Sequence, residues 1–140
     1  MAKITTYLSM KTCICMLASL LFSMRLMAQT DSLAKSHVMY GIASFYSRSL
    51  EGTSTATGET FRHKDYTGAS NNYKLGTWVR VTNIRNGKSV IVRINDRMHK
   101  SMSKKGRVID LTRSAASELD FIKRGLTRVK VEIVPENAVE

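Results

Sequence analysis

From residue 38 onward, apolar and polar positions alternate in short runs separated by turn residues, over 38–46, 75–84, 89–95, 107–111 and 126–134. A period of two puts successive side chains on opposite faces, so each run predicts a strand with one face buried. The clearest case lies between Leu75 and Asp96. There Val79 and Val81, then Val90, Val92 and Ile94, alternate with Arg80, Thr82, Arg93 and Asn95 across Asn86-Gly87. Asn-Gly suits the two positive-φ positions of a tight hairpin. Val129, Val131 and Ile133 alternate in the same way with Arg128, Lys130 and Glu132.

One segment changes to helical spacing. Ala115, Ala116, Leu119 and Ile122 recur on one face, with Thr112 placed to cap the helix and Gly125 to stop it. The Ser, Thr and Gly content of 47–57 and the Lys, Ser and Met content of 97–106 predict surface loops. Several short strands and one short helix predict a mostly β chain closed into a small barrel, because closure removes exposed strand edges.

The first 28 residues follow a different pattern. Lys3 and Lys11 precede an apolar run from Cys13 to Phe22, and Ala28 stands before polar Gln29-Thr30-Asp31. This layout predicts a secretory signal peptide over 1–28, with a retained anchor as the competing reading. The apolar stretch is too short for stable membrane insertion. A flexible lead follows over 29–37, then one domain over 38–135 and a tail over 136–140. Both cysteines, Cys13 and Cys15, fall in the leader, so the processed chain has neither a disulfide framework nor a thiolate site.

The chain of 140 residues carries 22 basic and 11 acidic residues, a formal net charge of +11. Removing the leader takes away Lys3, Lys11 and Arg25 and no acid, which leaves +8. A basic exported domain suits either a solvated, solubility-conferring surface or an anionic partner such as a wall polymer or a membrane surface. Nucleic acid is not expected, since no run interleaves basic and aromatic residues.

Candidate chemistry centres on Glu59, after Ala56-Thr57-Gly58, and Asp96, at the end of a predicted strand. Carboxyl groups at strand ends on a rigid scaffold are the usual tools for glycosidic bonds. From residue type alone, turn capping is the commoner role for Asp96 and an exposed turn position for Glu59. Asp110, just before the helix, suits either its N-terminus or a pairing with Arg107 or Arg113. His37, His63 and His99 lack metal-ligand spacing, so no metal or cofactor is expected. Phe45, Tyr46, Tyr73 and Trp78 suit either a sugar-stacking floor or the core. Ser70 has no partner that marks it as a nucleophile.

In order along the chain, Gly41-Ile-Ala-Ser-Phe-Tyr46, Thr55-Ala-Thr-Gly-Glu59, Leu75-Gly-Thr-Trp-Val-Arg-Val-Thr-Asn83 and Asn95-Asp96-Arg97 resemble the rare lipoprotein A family of septal-ring lytic transglycosylases. That family is a double-psi β-barrel group distantly similar to expansins. The resemblance runs from about Gly41 to Val134 and implies a six-stranded double-psi β-barrel with one short helix. It implies an endolytic enzyme, exported across the bacterial inner membrane to the periplasm or envelope. Its substrate would be the peptidoglycan glycan strand, cleaved at MurNAc–GlcNAc bonds to leave 1,6-anhydro-MurNAc ends. Asp96 would be the acid/base, Glu59 its support and a source of nearby negative charge, and Asp110 an alternative by analogy with expansins. Tyr46, Arg93 and Arg97 would contact substrate.

Ser70 stands where the family has a histidine, eleven residues after the loop glutamate, and Met98-His99-Lys100 stands where it has Gly-Pro-Phe. A serine hydroxyl hydrogen-bonds but carries no charge near neutral pH. A non-catalytic, expansin-like glycan-binding barrel is therefore the alternative reading.

Overall fold

A computed structural model describes residues 38–138. The expected signal peptide, the lead, both cysteines and the last two residues of the tail lie outside the described residues. Six strands, β1 (Val38–Phe45), β2 (Thr67–Ala69), β3 (Trp78–Asn83), β4 (Ser89–Asp96), β5 (Arg107–Leu111) and β6 (Thr127–Ile133), close a barrel in the order β1-β5-β2-β4-β3-β6. The β1/β5 and β2/β4 pairs are parallel and the remaining four antiparallel. This mixed, closed sheet is a double-psi β-barrel.

The alternating valines fill the interior. Val79, Val81, Val92, Ile94, Ile109, Leu111, Val129 and Val131 are inaccessible to solvent, and Leu119 and Phe121 plug one side. Each such side chain contributes about 1.5–3 kcal/mol by leaving water. Tyr73 belongs to this core, donating its hydroxyl to the Val131 carbonyl, whereas Trp78 is only half-buried.

Three local expectations are corrected. Asn86-Gly87 is not a two-residue turn: only Gly87 has positive φ, and five residues, 84–88, link β3 to β4. Buried Asn83 takes over the turn, bonding Leu119 and Thr127 through its side chain while Oδ1 also accepts the Arg85 amide. The predicted helix is shorter, α2 (Arg113–Glu118), because Asp120 enters the left-handed region with φ 57°. Gly125 closes the turn that follows rather than the helix. A second short helix, α1 (Lys100–Lys104), lies in the expected 97–106 loop, capped by the His99 side chain.

β2 escaped the periodicity reading because its three residues, Thr67-Gly-Ala69, lack a β-branched run. Its small residues answer to close approach instead: a Cβ at Gly68 would sit 3.1 Å from the Asp110 carbonyl oxygen.

Candidate active site

Two register shifts shape the site. Between β2 and β4, Gly68 pairs Ile94 but Ala69 pairs Asp96, so Asn95 is an extra residue on β4. Between β1 and β5, Ile42 pairs Arg107 but Ala43 pairs Ile109, so Val108 is the extra residue on β5. An extra residue changes which face the next side chain takes. Ile94 therefore faces the core while Asp96, two positions on, joins a row across four strands: Asp96, Ala69, Asp110 and Ser44. The two aspartates sit on strands two apart, about 9–10 Å across the sheet, with Ala69 on the strand between them.

Asp96 is half-buried and held at both oxygens. Oδ1 accepts the Ala56 amide at 2.9 Å and the Arg97 amide at 2.8 Å, and Oδ2 accepts the Tyr46 hydroxyl at 2.8 Å. Tyr46 follows β1, and its ring packs 4.4 Å from that of buried Phe61, which His63 abuts edge-on. Burial, the bond to Asp96 and the charges of Asp96 and Asp110 together push the Tyr46 phenol well above its ordinary range. Tyr46 thus feels both carboxylates.

Burial raises the Asp110 carboxyl above the ordinary range, an effect only partly offset by the Ser44 hydroxyl, which donates to Oδ1, and by the Arg107 charge. Glu59 is driven the other way, to about 2, by the Arg93 guanidinium, which donates to both its oxygens at 2.8 Å, and by Asn95 Nδ2 at 3.1 Å. Glu59 makes no bond to Asp96, and its charge is matched by that of Arg93. Its link to Asp96 runs through the backbone. The 54–60 loop, closed by a Ser54–Thr60 bridge, carries Glu59 at one end and the Ala56 amide at the other.

Arg97 Nη1 donates to the carbonyls of Ser70 and Tyr73, so it clasps the 70–73 segment. Ser70 is fully buried. Its hydroxyl donates to the Val108 carbonyl at 2.8 Å and accepts the Asn72 amide, while its own amide donates to the Asp96 carbonyl. Ser70 thereby ties the strand of Asp96 to the extra residue of the Asp110 strand. Asn95 and the Ala56 amide were missed in the sequence. Asn95 was legible only as a neighbour of Asp96, and a backbone donor leaves no signature at all. Among the described residues no group of His, Cys, Asp and Glu could hold a metal ion, and no helix is long and apolar enough to cross a membrane.

A sequence profile of the family described as lytic transglycolase matches residues 38–131, which covers five strands and most of β6. The chain belongs to this family. It is 43% identical over 106 residues to the endolytic peptidoglycan transglycosylase RlpA of Pasteurella multocida, covering 76% of this chain and 35% of that protein. It is 49% identical over 96 residues to the probable endolytic peptidoglycan transglycosylase RlpA of Nostoc sp., covering 67% and 25%. The chain thus spans about a third or less of these relatives' length. The apo expansin of Clavibacter michiganensis shares the fold, with a TM-score of 0.56 at 21% identity over 71% of this chain and 52% of that one. The row of Asp96, Ala69, Asp110 and Ser44 thus lies on a barrel whose relatives are named endolytic peptidoglycan transglycosylases.

Proposed function

We propose that this protein is an exported endolytic peptidoglycan transglycosylase, with Asp96 as its acid/base. The observation that carries this reading is the geometry of Asp96, taken with the RlpA names of its relatives. Oδ1 is fixed as an acceptor by two backbone amides, so Oδ2, shared with the Tyr46 hydroxyl, is the oxygen free to carry a proton. In the proposed reaction, protonated Asp96 gives that proton to the glycosidic oxygen as its bond to MurNAc C1 breaks. The 6-hydroxyl of the same MurNAc then attacks C1 and returns its proton to Asp96. No water is consumed; one product ends in 1,6-anhydro-MurNAc and the other in a GlcNAc hydroxyl.

Glu59 supports this chemistry by position. Its bonds to Arg93 and Asn95 hold the loop that presents the Ala56 amide to Asp96. Asp110, whose proton is held more tightly than usual, is the alternative proton donor. Tyr46 contacts the substrate beside Asp96, whereas Arg93 and Arg97 act by fixing Glu59 and the 70–73 segment. The substrate places the protein in the periplasm or envelope.

The test incubates the protein and its Asp96→Asn variant with intact sacculi and with peptide-stripped glycan strands. Anhydro-ended fragments from the wild type alone, read by mass spectrometry, support the enzyme. Binding without such fragments from either protein indicates a glycan-binding barrel.

A further inference from the structure

A groove of about 780 Å³ runs along the outer face of β4, away from Asp96, and apart from Glu59 and Arg93 its walls have no part in the proposed reaction. Glu59 stands at its edge, and its walls include Tyr66, Trp78, Arg80, Ile91, Arg93 and Glu118. Thr67, Arg93 and Trp78 form one cross-strand row, three residues before Asp96 on β4 and so about 10 Å from it. From Asp96 to Ser89 at the far end is about 23 Å of strand, the length of several sugar rings.

Resting on the function proposed above, we infer that this groove is a glycan-binding track in which Trp78 and Tyr66 stack on sugar rings of the strand being cut. Two aromatic side chains here remain open to solvent: Trp78 is half-buried and Tyr66 is 46% exposed. The Glu118 carboxylate beside the Tyr66 hydroxyl raises that phenol above its ordinary range. A sugar ring offers an apolar C–H face to such a platform and hydroxyls at its rim to the flanking charged groups.

The charges in the groove are mixed. Arg93 is engaged by Glu59 and Arg80 approaches Glu132 at 3.5 Å, while Glu59 and Glu118 bring negative charge. That mixture disfavours a polyanion such as nucleic acid and suits a largely neutral, hydroxyl-rich polymer. Along β4 the groove ends at Arg93, three residues short of Asp96, so a strand of several sugar rings would reach from it to the proposed cleavage point.

Trp78 is the single tryptophan of the chain, so its fluorescence reports this groove alone. The experiment titrates the full-length Asp96→Asn variant with peptide-stripped glycan strands while recording tryptophan emission. The expected result is a saturable change in intensity or wavelength, together with about tenfold weaker strand binding by Trp78→Ala and by Tyr66→Ala. Emission that stays constant while strands bind or are cleaved would overturn the inference, as would undiminished binding by both folded variants. A saturable change without any anhydro product from the wild type would keep the groove and remove the reaction.

Discussion

The hydroxyl of Tyr46 donates to Oδ2 of Asp96 at 2.8 Å, while both bonds to Oδ1 come from backbone amides. A side-chain substitution can therefore change one oxygen of the carboxyl without disturbing the other. Tyr46→Phe keeps the ring on Phe61 and removes only the hydroxyl. We expect kcat for strand cleavage to fall about a hundredfold with little change in melting temperature. An unchanged kcat would show that Tyr46 does not share the reacting proton.

Glu59 leads to a pH prediction. Its folded-state pKa of about 2 lies below its ordinary value of 4.5, so its contribution to stability is present above pH 4.5 and is lost as pH falls towards 2. Glu59→Gln should thus lower the melting temperature at neutral pH, with the difference from wild type shrinking through that window. Parallel melting curves at several pH values check this. A difference that is constant with pH would mean the ion pair with Arg93 contributes nothing.

Asp110 should show the opposite sign. Burial raises its pKa, so ionising it costs the folded state stability as pH rises above its ordinary value of 3.8. Asp110→Asn escapes that cost while keeping an oxygen that can accept from Ser44. Its melting temperature should gain on that of wild type between acid and neutral pH. If Asp110 is also the proton donor, activity disappears in the same variant while its melting temperature still gains.

Ser70 is fully buried with its hydroxyl bonded to Val108 and Asn72. Ser70→Ala leaves the Val108 carbonyl without that donor and should cost about 1–3 kcal/mol in denaturant unfolding. Ser70→His puts a much larger ring at a fully buried position and should destabilise the barrel further rather than raise activity. A Ser70→His protein as stable as wild type and more active would refute the structural role.

Much of the barrel was legible in the sequence because its buried faces obey a period of two. Val79, Val81, Val90 and Val92 announce β3 and β4 without help from the rest of the chain. β2 was not legible, since Gly68 answers to the closeness of β5 and not to any strand preference. The Asn86-Gly87 turn misled because buried Asn83, which bonds Leu119 far along the chain, sets the loop geometry. In the site, Asp96 and Asp110 stand out as carboxyls next to predicted element ends. The pairing of Glu59 with Arg93 does not, because its partners lie 34 residues apart and neither side chain signals the other. The residue between the aspartates, Ala69, was invisible for the reason it matters: it is small.

Asp96 is proposed to break a glycosidic bond without water. Digestion of peptide-stripped glycan strands in oxygen-18 water, with mass analysis of the new ends, tests it most directly. Anhydro ends free of label are expected from the wild type and none from Asp96→Asn. Labelled reducing ends, or anhydro ends formed equally well by Asp96→Asn, would contradict it.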